Sequence, residues 1–285
     1  MRIFITFFMI VVLLLSLGLS MSESAQELQS EALSRALASF GLAKGLNMVI
    51  SLIQGTELSF TPIGVGLTFS IGEILDPLND MVERFSWVML ASTVSLGIQK
   101  IILELSGTLF IQVVLGFVVL SSLTLLWVKK WSNEFALQLG LKLFMLLLVL
   151  RFSALAFVYT TALVHTTVLQ KEYLDSSKLV EKTRVELEEV HTTNKILAEK
   201  QKESGFFSGL SSKYDQVIDN LNISSKLESM QGSMDVASNN IIRLITIFIF
   251  ETIIMPLLFL YLTVLSMKYI FSFKFTQERY KLLYN

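Results

Sequence analysis

The 285-residue sequence contains no cysteine, only three prolines and only two histidines. The absence of cysteine excludes disulfides, thiolate metal sites, iron–sulfur ligation and a cysteine nucleophile. His165 and His191 offer little material for imidazole chemistry and form no HExxH pair. No Walker loop, GxGxxG or GxSxG sequence occurs. We therefore expect no enzyme activity, no cofactor and no metal site.

Charged residues are also scarce, at 16% of the chain against about 25% in soluble domains. The 23 basic and 24 acidic residues nearly cancel, so the net charge carries no nucleic-acid footprint. Hydrophobic residues make up 53% of the chain. This balance excludes a disordered chain and predicts an all-α integral membrane protein whose solvent is the lipid bilayer.

Four apolar segments predict membrane crossings. Residues 1–22 are typical of a secretory signal sequence or of a retained signal anchor. Residues 105–164 predict two transmembrane helices joined by a short loop that carries Lys129 and Lys130. Residues 244–267 predict the last transmembrane helix.

Basic residues near the ends of these segments indicate the orientation. Arg2, the Lys129–Lys130 loop and the tail 268–285 are expected in the cytoplasm. Residues 23–104 and 165–243 then lie outside. The sequence thus predicts a multi-pass protein of a bacterial-type plasma (inner) membrane with a cytoplasmic C-terminus.

Residues 23–104 are predicted to be helical and to lie outside or on the membrane surface. Within them, residues 85–105 are largely apolar but contain Gln99, Lys100 and Glu104. A fifth crossing there would place the basic tail outside. We interpret this segment as a helix on or partly in the outer leaflet, or packed under the bundle. Residues 26–53 predict an amphipathic helix whose apolar tail is too short to span. Its predicted apolar face comprises Leu33, Leu37, Phe40 and Ala43.

Residues 165–243 form a hydrophilic module with two apolar seams at spacings of three and four. A glycine-bounded break at residues 205–209 separates the seams. The pattern predicts a long extracytoplasmic antiparallel helical (coiled-coil) hairpin. The first seam comprises Leu169, Tyr173, Ser176, Val180, Thr183, Leu187, Val190, Asn194 and Leu197. The second comprises Ile223, Leu227, Met230, Met234, Ala237, Ile241 and Leu244.

Phe206 and Phe207 occupy the predicted tip of this hairpin. Two interpretations are open for them. The rings fold back to close the tip, or they form an exposed apolar tip that docks a partner or a lipid surface.

Arg151 and Glu251 are isolated charges inside apolar segments, at similar predicted depths. A charge at such depth is costly, so each is expected to have a partner. We interpret them as an intramembrane ion pair, either structural or part of a proton or ion relay. Pro256 is expected to kink the last helix and to free one backbone carbonyl.

Residues 63–72 alternate between large apolar and small side chains, which predicts one short β segment. Either this segment lies extended against the helices, or it pairs with another copy or a partner's sheet edge.

Glu73, Asp76, Asp80 and Glu83 follow at helical spacing and form a possible acidic face. Asp76 and Pro77 are a typical helix start. Capping and dipole compensation explain most of the acids, and an all-oxygen divalent-cation site is the alternative.

The most informative module is thus a helical hairpin, whose physics is association. The function expected first is a membrane scaffold or assembly component, which binds a protein partner or self-associates through residues 165–243. The alternative is a small oligomeric ion channel or a proton- or ion-coupled transporter that uses Arg151 and Glu251.

Overall fold

A computed structural model describes residues 2–17, 19–54, 71–128, 134–203 and 223–272. Every described residue is helical except Gly107, Thr108 and Val128. The predicted helical class is therefore confirmed for the described chain, which contains no strand. Residues 63–70 of the predicted β segment, and Phe206 and Phe207, lie outside the described residues.

The described chain contains eight α-helices and two five-residue π segments. π1 (His165–Leu169) joins α5 to α6, and π2 (Phe250–Ile254) joins α7 to α8. The helices are α1 (Arg2–Leu17), α2 (Leu19–Gln54), α3 (Ile71–Ser106), α4 (Leu109–Trp127), α5 (Glu134–Val164), α6 (Gln170–Glu203), α7 (Ile223–Ile249) and α8 (Met255–Ser272).

The chain divides into two compact units, of which the first comprises residues 1–34, 94–167 and 250–285. In this unit α1 packs against α4, α4 against α5, and α5 against α8. α4 has 19 residues, which corresponds to about 28 Å of helix and so to the thickness of the hydrocarbon layer.

α1 is packed into the first unit by specific contacts. Its Met9 and Val12 are buried in a cluster with residues of α4 and α5. Trp127 Nε1 donates to Thr6 Oγ1 at 3.2 Å, and the Phe8 ring packs edge-on against a ring of α5. The start of α1 therefore lies beside the end of α4, and the two helices are antiparallel.

The second unit comprises residues 35–93 and 168–249, and it contains α6 and α7 packed against each other. Thr183 Oγ1 donates to Ser233 O at 3.5 Å, and Ser233 Oγ donates to Glu186 at 2.9 Å. Arg243 pairs with Glu172 at 2.9 Å. These contacts make α6 and α7 antiparallel.

The two predicted seams coincide with the buried faces of α6 and α7. Wherever side chains are described, the seam positions are buried or half-buried. On α6 these are Leu169 (the last residue of π1), Tyr173, Ser176, Val180, Thr183 and Leu187, and on α7 they are Met234, Ala237, Ile241 and Leu244. The predicted heptad positions are therefore buried or half-buried on two helices that pack against each other.

Five helical stretches of the described chain are long and apolar enough to cross a membrane. They are Glu23–Gln54, Leu75–Ser106, Leu109–Trp127, Phe135–Glu189 and Gln231–Ser272. α1 is a shorter apolar helix. The helix predicted over residues 26–53 is part of α2, which is one continuous helix of 36 residues. The apolar tail predicted to be too short to span therefore belongs to a stretch that is long enough.

Over residues 25–43, α2 buries mainly small side chains, whereas α3 buries large apolar side chains such as Phe85 and Met89. α2 buries small side chains at spacings of three and four, and Leu37 from its predicted apolar face is 50% exposed. The buried residues of α2 include Ala25, Gln29, Ala32, Ala36, Ser39, Ala43 and Leu46. α3 buries one apolar face and exposes another, which accounts for the unusual hydrophobicity of residues 85–105.

Candidate functional site

The most concentrated polar site in the described chain is a buried pair between π1 and π2. His165 Nδ1 lies 2.6 Å from Glu251 Oε1, and the two residues are 4% and 2% exposed. At this distance the ring N–H donates to the carboxylate, and both the neutral Nδ1–H tautomer and the imidazolium can do so. One oxygen of the buried carboxylate therefore has a hydrogen-bond donor.

The helix register places these two residues opposite each other. The Phe157 and Phe259 rings of α5 and α8 pack edge-on, with centroids 5.1 Å apart. Eight residues separate Phe157 from His165, and eight separate Glu251 from Phe259. Both contacts are therefore consistent with a single antiparallel register between the two helices.

Both members of the pair lie on π segments, which are rare and often occur at functional sites. Two threonines in π1 bond back to the preceding turn. Thr166 Oγ1 donates to Ala162 O at 3.0 Å and Thr167 Oγ1 donates to Leu163 O at 2.7 Å. This bond to the carbonyl four residues earlier is common for threonine in helices, and Thr183 of α6 and Thr246 of α7 form it too.

Pro256 explains the second π segment. Proline has no N–H, so the carbonyl four residues earlier, Thr252 O, loses its helical donor. Ser95 Oγ of α3 donates to that oxygen at 3.0 Å. The free carbonyl expected from Pro256 is therefore present, and a neighbouring helix satisfies it.

A chain of amide hydrogen bonds continues from Ser95. Gln99 Nε2 donates to Ser95 Oγ at 3.2 Å, and Gln29 Nε2 lies 3.3 Å from Gln99 Oε1. Gln29 also donates to Leu96 O at 3.1 Å. Gln99, one of the polar residues in the apolar segment 85–105, thus links α2 and α3 to Ser95, which bonds to π2.

Arg151 occupies a separate site, so the predicted Arg151–Glu251 pair is not the arrangement found. Its guanidinium donates to Ser106 O at the end of α3, and it lies 3.4 Å from Ser16 O near the end of α1. Carbonyls at helix C-termini lack helical donors and carry the negative end of the helix dipole. Two helix ends therefore compensate the buried cation, and Glu251 pairs with the histidine instead.

The described side chains of the possible acidic face are exposed, and Lys142 of α5 is half-buried. Lys142 Nζ donates to Phe271 O near the end of α8 at 3.0 Å. Asp76 accepts from Gln54 Nε2 at 2.8 Å, and Asp80 and Glu83 are exposed. Glu73 lies within α3, which begins at Ile71, so the helix start predicted at Asp76 and Pro77 is wrong. Among the described residues, no group of three acidic or histidine side chains could hold a metal ion.

Arg184 forms the densest ionic cluster of the second unit. It donates to Glu181 at 2.6 Å and 2.9 Å, and to Glu188 at 3.0 Å. The hydrogen bonds from the guanidinium lower the pKa of the Glu181 carboxyl. A Cβ at Gly45 of α2 would lie 3.3 Å from the Arg184 side chain, so the glycine leaves room for this cluster.

Sequence reasoning missed His165 because it ends an apolar helix and looks like a surface residue. One signal for it was available. If α5 and α8 pair so that Lys142 meets the end of α8, the antiparallel register brings Glu251 to the end of α5. Comparisons with protein-family models, curated proteins and solved structures find no match to this chain.

Proposed function

We propose that this protein is a plasma-membrane scaffold or assembly component whose α6–α7 pair binds a protein partner outside the cytoplasm. The observation that carries the proposal is the packing of α6 against α7 along the two predicted seams. α6 alone has 34 residues, which corresponds to about 50 Å of helix. In this proposal residues 165–243 form a coiled-coil hairpin.

The surface of the α6–α7 pair supports an aqueous location. Its outward positions carry many charges, in contrast to α5 and α8. Exposed charged residues of α6 include Lys171, Glu172, Asp175, Lys178, Lys182, Glu188 and Glu189. Rigid charged helix pairs suit specific recognition, because charge patterns select partners more than they add stability.

The contacts of α1 support a retained signal anchor over a cleaved signal. Removal of residues 1–22 would uncover the buried cluster around Met9 and Val12 and take one carbonyl from Arg151. We expect N-terminal sequencing of the purified membrane protein to find residues before Ser16. A mature chain that starts after residue 22 would overturn this part of the proposal.

A second candidate function, proton- or ion-coupled transport, rests on the buried His165–Glu251 pair. The neighbouring polar chain favours a structural role, because Gln29 and Gln99 are carboxamides with fixed donor and acceptor groups. Such groups orient helices but do not titrate. The scaffold is therefore our conclusion.

Flux measurements separate the two functions. The purified protein in liposomes that contain a pH-sensitive dye should pass no protons or ions under an imposed gradient. Flux that disappears in the variant His165→Gln/Glu251→Gln would establish transport and contradict the scaffold proposal.

Photo-crosslinking in intact cells tests the partner directly. A photoreactive residue at Leu174 or Val185, both exposed on α6, should capture one defined protein. The matched control is Leu150, exposed on α5, which should capture no protein. Absence of a protein adduct from every exposed α6–α7 position would reject the proposed role.

A further inference from the structure

A cleft of about 460 Å³ lies between α2 and α6, within the second unit. Ala38, Ser39 and Leu42 of α2 form one wall, and residues of α6 between Tyr173 and Lys182 form the other. Ligand pockets in proteins have volumes of about 300–1,000 Å³. The cleft therefore has the volume of a small-molecule site.

The residues beside the cleft explain why the two helices leave space there. The Arg184 side chain of α6 lies against Gly45 of α2, 3.3 Å from the position of an added Cβ. Ala38 lies seven residues before Gly45, and Ser177 lies seven residues before Arg184. The cleft is thus about 10 Å along the two helices from the arginine. Small side chains at this level do not fill the separation that the arginine sets.

The cleft has an apolar part with a fixed ring. Leu42 and Tyr173 line it from opposite helices, and both are half-buried. The Tyr173 ring packs edge-on against Phe248 of α7, with centroids 6.0 Å apart. An aliphatic chain in the cleft would therefore lie between a leucine and a ring that is already held in place.

Two hydroxyls that line the cleft have no hydrogen-bond partner in the described chain. They are the Oγ atoms of Ser39, which is 2% exposed, and of Ser177, which is half-buried. A buried hydroxyl without a partner is costly. Serine reorients its hydroxyl by rotation about χ1, and the O–H can donate to a bound acceptor. An acceptor in the cleft would satisfy both groups.

The charges around the cleft favour a bound anion. No carboxylate of the described chain lies within ion-pair distance of Lys178 Nζ, and Lys182 meets Glu186 only at 3.6 Å, on the surface. The one carboxylate that lines the cleft is Glu181, and Arg184 donates to both of its oxygens. An anion in the cleft therefore meets an unpaired ammonium, whereas the nearby negative charge is already compensated.

We propose that this cleft binds a small amphiphile with a carboxylate head and an aliphatic chain, such as a medium-chain fatty acid. The carboxylate accepts from Lys178 Nζ and from the hydroxyls of Ser39 and Ser177. The aliphatic chain lies between Leu42 and Tyr173. A single unpaired ammonium at the cleft matches the single charge of a carboxylate.

The proposed site uses no part of the proposed partner binding. The crosslinking positions Leu174 and Val185 do not line the cleft. Failure of partner capture and failure of ligand binding are therefore separate results.

Photolabelling of the purified protein in nanodiscs tests the site. The probe is decanoic acid with a diazirine at the end of its chain. Its adducts should lie in peptides that contain residues 38–42 or 173–182, and excess decanoate should prevent them. An equal concentration of decanol should not. Adducts confined to other peptides, or equal protection by decanol, would overturn the proposal.

The variant Lys178→Gln tests the charge. It should lower the labelling of the cleft about fivefold, because an ammonium near the surface contributes modestly to binding. Lys171→Gln is the matched control, since Lys171 is exposed one heptad earlier on α6 and does not line the cleft. Unchanged labelling in Lys178→Gln would contradict the proposed carboxylate contact.

The variant Ala38→Trp tests the space. Ala38 is exposed, so the indole should enter the cleft without lowering the midpoint of thermal unfolding. We expect it to abolish the labelling. Met48→Trp, at an exposed position of α2 outside the cleft, should keep it. Labelling of the cleft peptides that survives Ala38→Trp would overturn the proposal.

Discussion

The α5–α8 pair and the α6–α7 pair are both antiparallel helix pairs, but their exposed side chains differ in polarity. α5 and α8 expose leucines such as Leu150, Leu163, Leu257 and Leu260. α6 exposes lysines and glutamates, and it buries Ser176 and Thr183 in its contact face. One helical architecture therefore carries two kinds of surface, one apolar and one charged.

The two π segments mark the change from one pair to the other. His165 and Glu251 lie just where the apolar pair ends, and they pair with each other. Each π segment inserts one extra residue into its helix. Because both helices carry such an insertion, their antiparallel register is preserved. The His165–Glu251 contact is therefore a buried polar contact at the end of the α5–α8 pair.

The largest expected effect comes from breaking the His165–Glu251 contact. His165→Leu leaves the buried Glu251 carboxylate without its ring partner, and loss of one member of such a pair costs about 3–5 kcal/mol. The midpoint of thermal unfolding in nanodiscs should fall clearly. His191→Leu, the other histidine, is the control and should change little. The double variant His165→Leu/Glu251→Leu should recover part of the lost stability. An equal fall of the unfolding midpoint in the single and the double variant would contradict a paired carboxylate.

The next effect tests the contact face of the α6–α7 pair. Ile241 is fully buried and Ile242 is 50% exposed, so the two neighbours form a matched set. Ile241→Ala should destabilise the fold by about 3 kcal/mol through the cavity it leaves. Ile242→Ala should stay within about 0.5 kcal/mol.

Disulfide formation between Thr183→Cys and Ser233→Cys reports the same contact, since these residues touch across the pair. The disulfide should form readily in the parent chain and in Ile242→Ala, and more slowly in Ile241→Ala. Equal rates in all three would indicate that Ile241 does not hold the helices together.

A smaller effect tests how closely the apolar helices approach. A Cβ at Gly140 of α5 would lie 2.8 Å from Ser122 Oγ of α4, so Gly140→Ala should cost about 1–2 kcal/mol. Ser122→Ala in that background should restore the unfolding midpoint, because it removes the clashing atom. Gly116→Ala, with open space around it, should not destabilise. A Gly140→Ala protein as stable as the parent would show that α4 and α5 are not in close contact.

The smallest effect concerns the carbonyl that Pro256 frees. Ser95→Ala removes the donor to Thr252 O, which should cost about 0.5–1 kcal/mol. In a Pro256→Ala background the restored N–H can bond this carbonyl, so the same substitution should cost almost nothing. Equal costs in the two backgrounds, measured by unfolding midpoints, would refute this account of π2.

The spacing of the apolar residues, and the polar residues between them, made the α6–α7 seams predictable from the sequence. Val180, Leu187 and Ile241 lie in a polar background, so their spacing stands out. The same reasoning was only partly right for α2: Ala43 is buried and Leu37 is 50% exposed, and the helix also buries small residues such as Ala32. Alanine carries little hydrophobic signal, and Leu37 drew attention to a different face. Small side chains pack by close approach, which spacing alone does not reveal.

The sequence predicted Glu251 and Pro256 of the candidate site but not the partner of Glu251. Glu251 and Pro256 stand out because a carboxylate and a proline are rare in an apolar helix. The predicted partner of Glu251 was wrong. The similar predicted depths in the membrane suggested Arg151, whereas backbone carbonyls at two helix ends compensate that arginine. Contacts to main-chain atoms leave no pattern in side-chain sequence.

The measurement that tests the contrast between the two helix pairs most directly is thiol accessibility in intact cells. Single cysteines would replace Val185 on α6, Leu260 on α8 and Phe271 at the end of α8, all exposed on the protein. With an impermeant reagent, we expect labelling of Val185→Cys in intact cells and of Phe271→Cys only after permeabilisation. Leu260→Cys, facing lipid, should stay unlabelled throughout. Labelling of Leu260→Cys, or protection of Val185→Cys until permeabilisation, would contradict the account.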